Sequence, residues 1–278
     1  RLREVPTAVT AITSTALAAR GLRANEELVQ ATPSLNIGRS GSTPLLYLRG
    51  VGNQSGSPGS EPSVPLYIDG VVVFGQNQTL NSFNNIERVE VLRGPQGTLF
   101  GRNATGGLIH IITKDPTEDS SGEARIGYGN FQTLEGSLYA TAGLADGPAA
   151  NFAGTYKKRP EGFGVNYTTG KDVYLSEEFA LRSKLLWEPT DKTRVLLAAD
   201  YSYNNSDIGL VRTFPDGVRA LDGVTTNVNG NRYNVRHNID PKSLTTRYSG
   251  VLRVEQDLGA ARLLSITAYQ KSTNRWKL

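Results

Sequence analysis

Cysteine and methionine are both absent from the 278 residues. Without thiols there is neither a disulfide framework nor a thiolate metal site. Histidine is nearly absent: His110 and His237 stand far apart, with no partner at metal-ligand spacing. No nucleophile elbow is present, and acidic pairs such as Glu177-Glu178 sit among polar loop residues. An enzyme is therefore not expected. No stretch approaches the ~20 apolar residues a spanning helix needs, so any passage through a membrane would have to use strands. Charge of one sign is also lacking. Thirty basic and 26 acidic side chains leave a net charge of +4, scattered rather than gathered into the basic stripe that nucleic-acid binding requires. Nucleic acid is not an expected partner. A mean hydropathy of -0.34 is too polar for a helical membrane protein and compatible with a β-barrel, in which only alternate residues face lipid. A chain that opens on Arg1 and holds no Met reads as a trimmed or partial chain with no visible leader.

What is present divides near residue 117. The first part mixes strand and helix patterns. Val5–Ile12 is β-branched and apolar enough for a strand. Ser14 is placed to cap a helix over Thr15–Arg20, which Gly21 ends. Asn25 can cap a second helix with Glu26 and Glu27 in its first turn, and Pro33 stops it. Leu45–Arg49 and Leu66–Ile68 are short apolar strands around the polar loop Gly52–Pro65. The run Asn85–Thr113 follows: two strand patterns clasped around Gly94, Gly97, Gly101, Gly106 and Gly107, residues that permit positive φ and close backbone approach. Gly101 and Gly106 have the spacing of a phosphate-binding loop, but Gly107 stands where its lysine must be, so the nucleotide reading fails. A tight link between two strands remains. The first part is expected to be a compact α+β domain.

After Lys114-Asp115-Pro116 the pattern is strands alone. Glu123–Gly129, Thr133–Gly143, Asn151–Arg159, Glu178–Glu188, Thr193–Asn204, Leu244–Leu258 and Ala261–Trp276 make roughly seven. Short turns at Ala145-Asp146-Gly147-Pro148, Pro189-Thr190-Asp191-Lys192 and Gly259-Ala260 contrast with the long polar stretch Ser206–Asp240. Within strands, apolar and polar faces alternate. Val195, Leu197, Ala199, Tyr201 and Tyr203 oppose Asp200 and Ser202; Leu181, Leu185 and Trp187 oppose Arg182, Lys184 and Glu188; Tyr248, Leu252 and Val254 oppose Arg247, Arg253 and Glu255. Alternation with one charged face suits a lipid-facing band around a polar lumen. It also suits a soluble β-sandwich, and the pattern alone leaves both open.

The run Asn85–Thr113, preceded in order by Val5-Pro6-Thr7-Ala8-Val9, Leu48-Arg49-Gly50-Val51-Gly52 and Tyr67-Ile68-Asp69-Gly70-Val71, closely resembles the plug-domain signature of TonB-dependent outer-membrane receptors. The resemblance covers residues 1–116. It implies an α+β plug at 1–116, then at 117–278 the first antiparallel transmembrane strands of a 22-stranded barrel, as yet incomplete. It implies active import of a scarce nutrient, most often a ferric siderophore, with cobalamin, haem and saccharides open and no resident cofactor. A binding or adhesion module without transport is the alternative. The implied partners are the TonB energy-coupling protein, outer-membrane lipid and a small-molecule ligand, in the outer membrane of a Gram-negative bacterium. The coupling segment, the TonB box, is expected before Val5, and Arg1–Glu4 do not resemble one. By the same resemblance Arg49, Phe74, Gly75, Gln76, Asn77 and Asn84 map to the plug apices that meet the ligand. Arg can grip an anionic chelate, amides can bond oxygens and an aromatic ring can stack, although plain loop composition explains each residue equally well. Arg88 and Arg93 map to arginines that pair with acids of the barrel wall; self-pairing with Glu87 and Glu90 is the alternative.

Overall fold

The computed structural model describes residues 8–22, 27–40, 43–53, 60–73, 85–101, 103–144, 147–208, 210–211 and 231–277. In the first part, β1 (Ala8–Thr13), β7 (Ile86–Arg93), β8 (Gly107–Thr113), β5 (Leu66–Ile68) and β6 (Val71–Val72) form a five-stranded sheet in that spatial order. β5 runs parallel to β8 and the other pairs are antiparallel. β2 (Leu35–Ser40), β3 (Thr43–Leu48) and β4 (Val51–Gly52) form a second, smaller sheet. Helix α1 (Ser14–Ala19) is capped by Thr13, not by Ser14. The chain leaves β1 with Thr13 still extended, so its hydroxyl, one residue earlier than expected, accepts from the Ala16 N–H. Gly21, at φ 67°, ends the helix as anticipated. The second helix, α2 (Leu28–Ala31), has Glu27 at its N-cap with no side-chain cap bond. Asn25, expected there, lies outside the described residues.

Alternation builds this core. Val89 and Val91 of β7 and Ile109 and Ile111 of β8 point to one face, where they pack with Leu17, Leu28, Leu48 and Leu66. The opposite face of β8 is buried too: Leu108 packs with Tyr67 and Ala104. The glycine-dense link is folded down onto that face by short α3 (Gly97–Phe100). The Phe100 ring stands edge-on to Tyr67 at 5.1 Å, and the Tyr67 hydroxyl donates to the Phe100 carbonyl at 2.7 Å.

From Ser121 on, seven strands form one antiparallel sheet joined mostly in chain order: β9 (Ser121–Gly129), β10 (Thr133–Gly143), β11 (Ala149–Arg159), β14 (Ser176–Thr190), β15 (Thr193–Ser206), β16 (Lys242–Asp257) and β17 (Arg262–Lys277). All seven expected strands are found, several longer by two residues at an end. The faces are inverted relative to a soluble sheet. Ile126 is 85% exposed, Leu197 51% and Tyr248 52%, and Leu185, Trp187 and Leu252 lie on the same outer surface. Asn151, Lys184, Thr245, Arg247 and Glu255, by contrast, are buried on the inner one. A sandwich hides its apolar face against a partner sheet; this sheet hides its polar face against the first domain and leaves the apolar face bare. That arrangement is stable only if something apolar covers the outside, as lipid does around a membrane barrel. Register reinforces it. Leu185, Leu197 and Leu252 line up across three strands, as do Leu181, Tyr201 and Tyr248. Phe179, Tyr201 and Tyr248 make a row of neighbouring rings at 6.1 and 5.1 Å. Trp187 marks the other end, eight residues below Phe179 on β14. That is roughly 26 Å along the strand, or about 20 Å of height at a tilt of about 40°, comparable to the band of about 25 Å between aromatic girdles.

The turns at the Trp187 end are short. The opposite end carries the long connections, and there the structure adds something the pattern did not disclose. Residues 160–175 hold a small hairpin, β12 (Gly164–Asn166) with β13 (Lys171–Val173). Phe131, Phe163, Tyr174 and Tyr233, from three separate connections, form a ring cluster with centroids 4.8–6.0 Å apart. Val173, Val211 and Val235 form a small apolar core beside it. Asp207 sits under this cluster. Its carboxylate accepts the Tyr174 N–H at 2.9 Å, while Oδ1 has no protein partner. Burial pushes its pKa up to about 6 against backbone bonds that lower it. The folded loops therefore hold a proton that the open loops release above the ordinary carboxylate value of 3.8. Loop closure is expected to be firmest below about pH 4, to weaken as pH rises to about 6 and to level off above, by less than about 3 kcal/mol in total after solvent screening. Hydrogen exchange at residues 163–175, corrected for intrinsic rates, should follow that profile, and Asp207→Asn should flatten it.

Candidate functional site at the plug and barrel wall

The last strand of the five-stranded sheet ends at Thr113 and the first strand of the seven-stranded sheet begins at Ser121. The few residues between them are tied to the inner wall. Lys184, on the polar face of β14, is 1% exposed and reaches across to the first domain. Its ammonium donates to the Thr113 carbonyl at 3.1 Å and to Asp115 Oδ1 at 2.8 Å, and lies 3.1 Å from Asp69 Oδ2. All three donors thus have acceptors, the condition under which a buried ammonium is tolerable. Arg194 of β15 takes the other Asp115 oxygen at 2.7 Å. Arg182, one inward position along β14, is paired with Asp200. Asn151 of β11 donates to the Lys114 carbonyl at 3.0 Å, and Thr141 of β10 accepts the Thr117 N–H at 2.9 Å.

Asp69 is the first domain's hand in this contact. It occupies a left-handed position, φ 49°, in the turn between β5 and β6. Its oxygens accept the Thr113 N–H at 2.8 Å and the Thr113 hydroxyl at 2.6 Å. Burial raises its pKa, but Lys184, Arg182 and the two Thr113 bonds outweigh burial and hold it below the ordinary value. His110 completes the turn by accepting the Gly70 N–H on Nε2 at 3.0 Å, with Nδ1 facing Glu90 at 3.5 Å. Burial pushes its pKa down against the pull of Glu90, so the ring is neutral near pH 7, as an accepting Nε2 requires. At the far edge, Gln270 of β17 donates to the Val72 carbonyl at 2.7 Å. The contact is polar, charged and enclosed. It can hold a domain in one orientation, yet costs little apolar burial to separate.

Of the residues the motif pattern singled out, Arg49 is exposed at φ 51° at the tip between β3 and β4. Phe74, Gly75, Gln76, Asn77 and Asn84 lie outside the described residues. Arg88 bonds Glu90 at 2.8 Å and also Glu87, all on its own strand. Arg93 donates to the Thr10 hydroxyl on β1, and its Nε is buried with no protein partner. The wall contacts observed have the reverse polarity: acids on the first domain and cations on the strands. The sequence placed Lys184 on a polar strand face and Asp69 in a turn, but nothing in their spacing joined them. Among the described residues no cluster of His, Asp and Glu could hold a metal ion.

A plug-like domain tied inside a wall with a bare apolar exterior is the geometry that comparison with known proteins recovers. Residues 1–108 match the family model of the TonB-dependent Receptor Plug Domain. The structure superposes on the ferric yersiniabactin uptake receptor of Yersinia pestis with a TM-score of 0.79 and 25% identity, covering 96% of this chain and 41% of that one. Residues 1–108 are a TonB-dependent receptor plug domain. Among curated relatives, the pesticin receptor of Yersinia enterocolitica is 32% identical over 165 residues, 59% of this chain and 24% of the relative. The ferrioxamine B receptor of Salmonella typhimurium is 30% identical over 206 residues, 70% of this chain and 27% of the relative. The chain thus spans about a quarter of the length of these receptors. In TonB-dependent receptor terms, the five- and three-stranded sheets are plug and the seven-stranded sheet is barrel wall.

Proposed function

We propose that this chain is the plug, at about residues 1–116, and the first barrel strands of an outer-membrane receptor that imports a ferric siderophore using energy delivered by TonB. The observation that carries the reading is the enclosed polar contact between plug and wall, with Lys184 shared by Asp69, Asp115 and the Thr113 carbonyl. A plug meant only to seal a pore would gain more from apolar packing. Charged pairs are specific and add little net stability, which suits a domain that must come loose. No nucleotide is needed at the plug, so work would arrive as a pull on the segment before β1. Among the described residues β1 is an edge strand paired with β7 alone, and it would be the first element to feel that pull. Ligand selectivity is supported by the relatives, whose names include ferrioxamine B and ferric yersiniabactin receptors. Arg49, Phe74–Asn77 and Asn84 are proposed to meet the chelate, and Arg88 and Arg93 to face wall acids on further strands.

The test is uptake of radioactive iron by cells whose other siderophore receptors are deleted and which carry the full-length receptor. Iron should enter as one of ferrioxamine B, ferrichrome or ferric yersiniabactin, and entry should stop when TonB is deleted while surface binding persists. Binding without TonB-dependent entry for any of these would instead favour a receptor that does not transport.

A further inference from the structure

We infer that His110 positions the plug's side of the contact with the wall, and that protonation of its ring releases that contact, which closes at neutral pH and loosens in acid. This goes beyond the import reading and takes from it only that the plug must come loose. Ile68 pairs with Val71, which leaves Asp69-Gly70 as a two-residue turn with both residues left-handed, φ 49° and 85°. Asp-Gly suits such a hairpin turn, but Asp69 still bears the steric cost of a side chain there. Strand β8 holds the turn in place through three successive ties. The Ile111 carbonyl accepts the Asp69 N–H at 2.9 Å, Thr113 donates twice to the Asp69 carboxylate, and His110 Nε2 accepts the Gly70 N–H at 3.0 Å. Of these, the last contains the group whose charge changes near neutral pH. A backbone N–H can only donate, so the Nε2 it meets carries no hydrogen. The hydrogen is then on Nδ1, which faces Glu90 Oε2 at 3.5 Å. Protonation sets a donor against the Gly70 N–H, and the new charge draws the ring towards Glu90. The turn loses a tie, and with it the aim of Asp69 at Lys184.

The surroundings keep the ring neutral until acid is added. Tyr67 and Phe100 stand edge-on to it, with centroids at 6.4 and 6.2 Å. The charged groups that face it are Glu90 and Arg88 on β7 and Asp69 in the turn. Glu90 is engaged by Arg88 at 2.8 Å, and Lys184 of β14 stands behind Asp69 at 3.1 Å. From β17 the turn meets Ile266, whose Cδ1 lies 3.3 Å from where a Gly70 side chain would begin and which brings no charge. Burial outweighs the two acids and holds the ring below its ordinary value of 6.5. A base so held contributes stability that is complete above that value and is lost as pH falls through the lowered one. Asp69 gives up its own contribution only below 3.8, so the two titrations act on one contact in separate ranges of pH.

The test is hydrogen exchange in the full-length receptor in neutral detergent, read over Asp69–Val72 and Thr113–Thr117 and corrected for intrinsic rates. Wild-type receptor should open about fivefold more readily at about pH 5 than at about pH 7.5, the equivalent of one net hydrogen bond. His110→Gln keeps an oxygen for the Gly70 N–H and does not titrate. It should match wild type at the higher pH and stay there at the lower. His110→Leu has no acceptor and should be open at both by the same factor. A flat wild-type profile, an equal slope in His110→Gln, or wild-type protection in His110→Leu at the higher pH would each overturn the proposal. Should the His110→Leu plug prove protease-sensitive throughout, wild type against His110→Gln decides alone, because a merely structural ring predicts the same pH profile for both. Iron import absent at every pH with the exchange profile intact would count against the import reading alone.

Discussion

Lys184→Met in the full-length receptor is expected to loosen the plug from the wall by about 3 kcal/mol, the low end of the cost of stripping one partner from a buried ion pair. The low end applies because neither acid is wholly abandoned: Asp115 keeps Arg194 and Asp69 keeps its Thr113 bonds. Amide exchange over Thr113–Thr117 should speed by about two orders of magnitude if opening is plug-limited. Adding Asp69→Asn should recover part of the loss, since the amide oxygen can still accept from Thr113 without leaving a buried charge. Equal loss in the single and double variants would mean that Lys184 and Asp69 are neighbours but not coupled. Acid should act in the same direction as the mutation. A carboxylate held below its ordinary value of 3.8 contributes stability that is complete above that pH. The contribution is lost as pH falls through the lowered folded value.

Gly107→Ala is expected to be worse, because no side chain can yield. Gly107 sits at φ 128°, and a Cβ there would lie 2.2 Å from the Leu92 carbonyl oxygen on the paired strand. Relief requires β7 and β8 to part where their ladder closes the glycine-dense link. Backbone strain and overpacking together put the cost at about 3 kcal/mol or more. The measurement is the fraction of full-length receptor whose plug resists protease in isolated membranes, which should fall sharply while the barrel stays heat-modifiable. Gly94→Ala is the control. Nothing lies within 4 Å of a Cβ there, so only the cost of its φ of 85° remains. Matching losses in the two variants would show that conformation, not contact with Leu92, sets the requirement for glycine.

The strands of the wall were legible because alternation is a one-dimensional signal. Leu185 and Lys184 fall on opposite faces whatever the rest of the chain does. The link between β7 and β8 was legible because the clustered Gly94, Gly101 and Gly107 permit the positive φ values that a tight link needs, and all three adopt them. Helix α1 was legible to within one residue of its cap. The hairpin β12–β13 was not. Gly164–Asn166 and Lys171–Val173 are three residues each, too short for periodicity to register, and they are held by contacts from elsewhere such as Asn234 to the Val165 N–H. Charge pairing was least legible. Arg88 could be read as self-paired or as facing the wall, and local sequence cannot distinguish the two.

The sequence by itself determined that membrane passage by these residues, if any, must be by strands, and that these 278 residues contribute no thiol. It also determined that one face of each wall strand is apolar and the other polar. Which face is buried was decided only by the tertiary structure. Alternation is symmetric between a sandwich and a barrel, and only the docking of a plug against the polar side makes Lys184 buried and Leu197 bare. The tertiary structure likewise chose Asp69, a turn residue by sequence, as the partner of Lys184. The two lie 115 positions apart in the chain, and attraction between opposite charges acts through space.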